Sequence, residues 1–255
     1  MMYINNNKKM KTNGSINSLI KEAEMKLNGT DTLEIDHPDF DVIGDNHIGT
    51  SIDTPMRDNT CDLTEEEKMA IIEGHFKEIM DTMGLDLRDD SLKGTPHRVA
   101  KIFVREIFSG LNPANKPKIS VFENKFNYNQ MLVEKNINVN STCEHHFLPI
   151  YGKAHIAYIP NGKVIGLSKL NRIADYFARR PQVQERMTVQ IAEELKKILN
   201  TEDVAVVVEA NHMCVSSRGI QDHDSTTVTA QYHGRFVNEN VKAEFLRYID
   251  FNPKA

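Results

Sequence analysis

The chain has 255 residues, 40% of them hydrophobic, and a formal net charge of -5, which provides material for a core and argues against wholesale nucleic-acid binding. No apolar run approaches the ~18 residues of a membrane span, and Met1 to Lys9 lack the apolar segment of a secretory signal. The expectation is a cytoplasmic protein with neither membrane nor nucleic acid as partner, although a local basic pocket for a small polyanion fits the same balance.

Residues 1–62 are rich in Asn, Asp, Lys and Thr and carry one short apolar pattern, Leu19, Ile20, Ala23, Met25 and Leu27 before Gly29, which supports a short helix at most. The remainder, with His37, His47 and Cys61, reads as a flexible polar arm that buries too little surface to order itself. Thr64 with Glu67 three positions on forms a capping box, and Met69, Ile72, Phe76, Ile79, Met80 and Met83 mark one helical face that Gly84 stops. Thr95-Pro96 predicts a second helix with Thr95 as N-cap and Val99, Phe103, Ile107 and Phe108 on its buried side. Arg98 in its first turns, read alone, is an ordinary solvated cation. The helices define an expected segment over 63–118, followed by a domain over 119–255.

From Asn136 the pattern becomes extended, with Ile137 and Val139 alternating with asparagines, and Ala154 to Ile159 forms a second run. Pro160-Asn161-Gly162 predicts a turn between two paired antiparallel strands. Gly166-Leu167-Ser168-Lys169-Leu170-Asn171-Arg172 predicts a strand entering a helix capped by Ser168, with Leu170, Ile173, Ala174 and Phe177 facing the core. Lys169 and Arg172 in its first turn oppose the helix dipole, a conflict that an anionic ligand such as phosphate would relieve. Pro181 is expected to open a long helix with Val183, Met187, Ile191, Leu195 and Ile198 inward and Gln184 and Glu185 in its first turn, where an acid is favoured by the dipole alone. Val204 to Val208 is a continuous apolar run of the kind buried on both faces of a sheet. Residues 226–236 read as a last strand, and 241–249 as a closing helix with Phe245 and Leu246 inward. The order predicts an α+β fold with a mainly antiparallel sheet and helices on one face.

The densest chemistry lies in Ser141-Thr142-Cys143-Glu144-His145-His146-Phe147-Leu148-Pro149, completed downstream by His212-Met213-Cys214. Cys143 and His146 are spaced to meet one ion, and Cys214 offers a second sulfur. Structural zinc sites close with four protein ligands, whereas catalytic ones keep three and leave a position for water or substrate. A CxxH pair alone equally fits a buried thiol near an ordinary histidine, and a Cys143 to Cys214 disulfide is a third reading, disfavoured by three cysteines in a chain without a secretory signal. The company of His145, His212 and Arg218 favours the metal site.

Together with Gly166 to Arg172, Arg180-Pro181-Gln182-Val183-Gln184-Glu185-Arg186, Glu209 to Cys214 and Thr95-Pro96-His97-Arg98-Val99-Ala100, these residues resemble GTP cyclohydrolase I over about residues 63–250. The resemblance implies a tunnelling fold in a toroidal homodecamer of two pentamers, with active sites between subunits, that hydrolyses GTP to formate and 7,8-dihydroneopterin triphosphate. It implies zinc on Cys143, His146 and Cys214, activating the water that attacks C8 of guanine, with His145 and His212 moving protons during ring opening. It also implies that Glu185, assisted by Gln184, reads the guanine edge, and that Arg98, Ser168, Lys169, Arg172 and Arg218 hold the triphosphate, some from a neighbouring subunit. Ser216-Ser217, Asp222-His223-Asp224 and Gln231-Tyr232-His233 look less typical of the family. The rivals are a noncatalytic zinc module using Glu144 or His145 as fourth ligand, and a tunnelling-fold relative such as a nitrile reductase, which would not need the triphosphate cations.

Overall fold

Residues 51–58 and 62–250 are described by a computed structural model. The expected short helix near residue 20, His37, His47 and Cys61 lie outside the described residues. The chain divides into two units: residues 56–58 and 62–106 contribute to one, 51–55 and 107–250 to the other.

In the helical unit, α1 (Glu65–Thr82) begins with the expected capping box, in which Glu67 N donates to Thr64 Oγ1 and Thr64 N donates to the Glu67 carboxylate. Gly84, at φ +77°, supplies the left-handed residue that ends it. Met69, Ile71 and Met80 are buried, whereas Ile79 and Met83 are exposed, so the packed face is rotated from the expected one. In α2 (Thr95–Ile102) the N-cap is Gly94 rather than Thr95. The Thr95 hydroxyl instead accepts from the Arg98 guanidinium, which also donates to Ser91 O. A π turn over Phe103–Ile107 then shifts the helical phase, which leaves Pro96 and Ala100 as the buried residues of α2 in place of the expected face.

In the sheet unit, β1 (Val121–Glu123) pairs with β4 (Lys163–Ile165) in a two-stranded ribbon. The main sheet has the order β5 (Pro181–Gln182), β2 (Leu132–Cys143), β3 (Pro149–Tyr158), β6 (Val204–His212), β7 (Thr227–Tyr232). All its pairs are antiparallel except β2 with β5. The turn at Pro160-Asn161-Gly162 forms, with Gly162 at φ +71°, but the strand after it pairs with β1 and not with β3. Ile159 N donates to Asp203 O beside β6, and Ile165 N to the Tyr158 hydroxyl, which together turn the chain out of the sheet.

Helices α3 (Leu167–Ala178) and α4 (Gln184–Leu199) cover one face. Leu170, Ile173, Met187, Ile191 and Leu195 pack there on Val139, Ile156, Val204, Val206 and Val208. Each such side chain, fully buried, contributes about 1.5–3 kcal/mol. On the opposite face Ala157, Ile159, Ala205 and Val207 meet Phe236 and Phe245, the latter from α6 (Glu239–Asp250). Helices therefore lie on both faces, not one, and β6 is sandwiched between two cores, which is why Val204 to Val208 has no polar alternation.

Three further boundaries, in the sheet unit, differ from expectation. The cap of α3 is Gly166 without a side-chain bond, so Ser168 lies inside the first turn. Pro181 belongs to β5, and α4 starts only at Gln184. Strand β7 stops at Tyr232 because His233 N bonds to Val204 O and Gly234 turns at φ +55°; in α6, Phe245 is buried while Leu246 is exposed.

Candidate active site

One end of the main sheet gathers four chain segments. Cys143 ends β2, and the turn Glu144 to Leu148 follows, closed by Cys143 N donating to Leu148 O and Phe147 N to Cys143 O. Phe147 pays for this tightness with a left-handed φ of 53°, and its ring packs against Phe108. The two-residue β5 lies parallel to the end of β2, pairing Cys143 with Gln182, and so delivers the start of α4. His212 ends β6 opposite Ile150, and Cys214 sits in the helical turn α5 (Met213–Ser216). Gly152 lets β3 and β6 approach near this end, since a Cβ there would stand 2.0 Å from Glu209 O.

The ligand atoms of Cys143, His146 and Cys214 lie within 4.8 Å of one another, and both cysteines are free thiols. Two soft sulfurs and an imidazole suit zinc or a similar borderline metal, so the donor set fits the expected ion. Burial and the neighbouring Cys143 push the Cys214 thiol up from its ordinary range, which is the electrostatic deficit a bound cation would correct. Beside the thiols a cavity of about 420 Å³ is lined by Cys143, His145, Gln184, Glu185, His212 and Cys214, among others. Its size is that of an ordinary small-molecule site.

Gln184 is fully buried, with its amide nitrogen donating to Val208 O and Thr227 O at 3.1 and 2.9 Å. Two carbonyls on one side fix the amide, so its oxygen faces His212 Nε2 at 2.8 Å and the neutral imidazole carries its hydrogen there. His212 Nδ1 is then the basic nitrogen. Burial lowers the His212 pKa, opposed by the Glu185 carboxylate, and keeps the ring neutral to lower pH than usual. His145 Nδ1 stands 3.8 Å from Cys143 Sγ, and Arg218 Nη1 donates to His146 Nε2 at 2.8 Å. Glu185 is exposed in the first turn of α4, where the helix dipole favours its negative charge.

The GTP cyclohydrolase I family model matches residues 72–250. The chain is 57% identical over 216 residues to a GTP cyclohydrolase 1 of Flavobacterium johnsoniae, covering 84% of this chain and 97% of that protein. The family is thereby settled. The chain belongs to the GTP cyclohydrolase I family. Proteins of the same description from Vibrio campbellii and Salmonella arizonae are 55% and 48% identical, over 76% and 83% of this chain and 89% and 96% of their own lengths.

Not every residue that the family resemblance suggested stands at the cavity. Gln184 does line it, but its amide is engaged by protein groups and His212, so its geometry favours holding that histidine over touching a base. Ser168, Lys169 and Arg172 on α3 do not line the cavity; Lys169 donates to Lys118 O, and Arg172 lines a separate one with Ser109, Asp175 and Arg179. Arg98 belongs to the helical unit. The sequence reading also passed over Arg186, whose guanidinium forms a fork with Glu144 at 2.5 and 3.2 Å. The signal was available: a cation in the first turn of a helix opposes the dipole, as at Lys169.

Proposed function

We propose that this chain is a GTP cyclohydrolase that opens the imidazole ring of GTP, releasing formate and forming 7,8-dihydroneopterin triphosphate. The observation that carries the reading is the three-ligand group, of which Cys143 and Cys214 line a cavity that also presents His145, His212 and Glu185, in a member of this family. Cys143, His146 and Cys214 would hold zinc, which when bound supplies Lewis acidity and lowers the pKa of water toward ~7. Glu185 accepts from the N1-H and 2-amino groups of guanine, a donor pair that adenine does not present. His212, with its hydrogen held on Nε2 by Gln184, takes up a proton at Nδ1, and His145 moves the second proton of ring opening. Arg98, Lys169, Arg172 and Arg218 neutralise the triphosphate, and the Ser168 hydroxyl donates a hydrogen bond to it.

The α3 cations do not line the cavity of their own chain, so a second copy that supplied them would complete the site. This supports a ring-shaped homo-oligomer, a decamer of two pentamers; among the described residues the outer edge of β7 pairs with no further strand and offers backbone groups for joining chains. Among the described residues no helix is long and apolar enough to cross a membrane, which is in keeping with a cytoplasmic enzyme. The deciding experiment incubates purified protein with GTP and follows formate together with the fluorescence of the oxidised neopterin product. Absence of both from zinc-loaded protein would refute the assignment.

A further inference from the structure

Arg186 lies on the first turn of α4 with its side chain 2% exposed, and all three of its nitrogens are engaged. Nη1 and Nη2 grip the carboxylate of Glu144, and Nε donates to Ser51 O at 2.8 Å. One turn on, Gln190 Nε2 donates to Ile52 O, while Gln190 Oε1 accepts from Gln182 Nε2. Gln182 O in turn receives Glu144 N. Glu144 is the residue between Cys143 and the histidine pair, and its Oε1 also stands 3.8 Å from His145 Nε2. The stretch at 51–52, which precedes the residues that the family model matches, is thus tied through its backbone carbonyls to the turn that carries Cys143 and His146.

We propose that Arg186 is a positioning residue that locks the turn Glu144 to His146 in its ligating form, with a strap at 51–52 whose Ser51 carbonyl holds Arg186 and whose Ile52 carbonyl holds Gln190 beside it. The inference rests on Cys143, His146 and Cys214 being the ligands. A forked guanidinium can satisfy the carboxylate and the strap at once, whereas an ammonium has neither the planar geometry nor the reach of Nε. Losing a partner of this kind behind a metal site typically weakens metal binding by about 10- to 100-fold.

The test uses the full chain. Zinc affinity is measured by competition with a chromophoric chelator for the native protein, Arg186→Lys, Glu144→Gln and the double variant, alongside melting of the metal-free forms and amide exchange of peptides containing Ser51 and Ile52. Each single variant should bind zinc about 10- to 100-fold more weakly. The double variant should be little worse than either single, because both break one contact. Exchange at the strap should speed up in Arg186→Lys. If the variants melt earlier but hold zinc within twofold of the native protein, Arg186 merely stabilises the fold and the proposal is wrong. Should Arg186→Lys fail to fold, Glu144→Gln decides alone, since it keeps size and polarity and leaves Arg186 in place. Retention of zinc by Cys214→Ser would instead overturn the ligand assignment on which the inference stands.

Discussion

Two carboxylates near the metal-ligand group do different work: Glu144 faces a buried guanidinium, and Glu185 faces the cavity. Replacing Glu185 by Ala should therefore weaken GTP binding, by about 1–3 kcal/mol or more, since guanine N-H donors would be left without an acceptor. Replacing His145 by Ala should leave affinity nearly intact and cut turnover by roughly 10²-fold or more. Calorimetry with GTP and single-turnover rates separate the two, and both variants should keep their metal. If His145→Ala loses metal while His146→Ala keeps it, the two neighbouring histidines have exchanged roles. Cys214→Ser should lose both zinc and turnover, read by elemental analysis of the purified protein. The high thiol pKa of Cys214 adds that metal must displace a proton, so loading should weaken as pH falls.

Strand β3 carries a buried histidine, His155, beneath α6, in contact range of Asn136 N and facing Glu209, Asp250, Lys135 and Lys153. Burial is the largest influence on it and holds its folded pKa below the ordinary value. Above ~6.5 the ring is neutral in both states; below it the unfolded chain takes a proton that the folded chain refuses, so stability is lost as pH falls toward the folded pKa. Urea midpoints should drop between about pH 7.5 and 5.5, and His155→Gln should show a smaller drop over that window. The same strand marks how far the elements were legible. The capping box located the start of α1, and periodicity located β6 and the inward stripe of α4, because each of these two buries many side chains in register. It misjudged what depends on a partner distant in sequence: β4 left β3 for β1, Pro181 became a strand only because β2 offered an edge, and α6 moved to the second face to cover Ala205 and Val207.

The assembled protein should be a large ring by light scattering, and a fully active single chain would contradict a shared site. A sharper check mixes two inactive variants, Glu185→Ala and Lys169→Ala, in one oligomer. If base and phosphate contacts come from different chains, equal mixing restores about a quarter of the sites, whereas sites contained in one chain stay dead. The grouping of Cys143, His146 and Cys214 was legible in the sequence from residue type and company, but the separation of the α3 cations from the cavity was not, since it depends on how α3 lies across the sheet. The lone parallel pair, β2 with β5, has one more effect. Cys143 and His146 leave the ribosome before the whole α3–α4 connection, and Cys214 emerges only after β6. A growing chain thus exposes the Cys143 thiol and the His146 imidazole without Cys214, open to oxidation or to adventitious metal, until β5 closes on β2 and β6 docks beside β3. Biogenesis of this enzyme is therefore most vulnerable during the interval in which α3 and α4 are being synthesised.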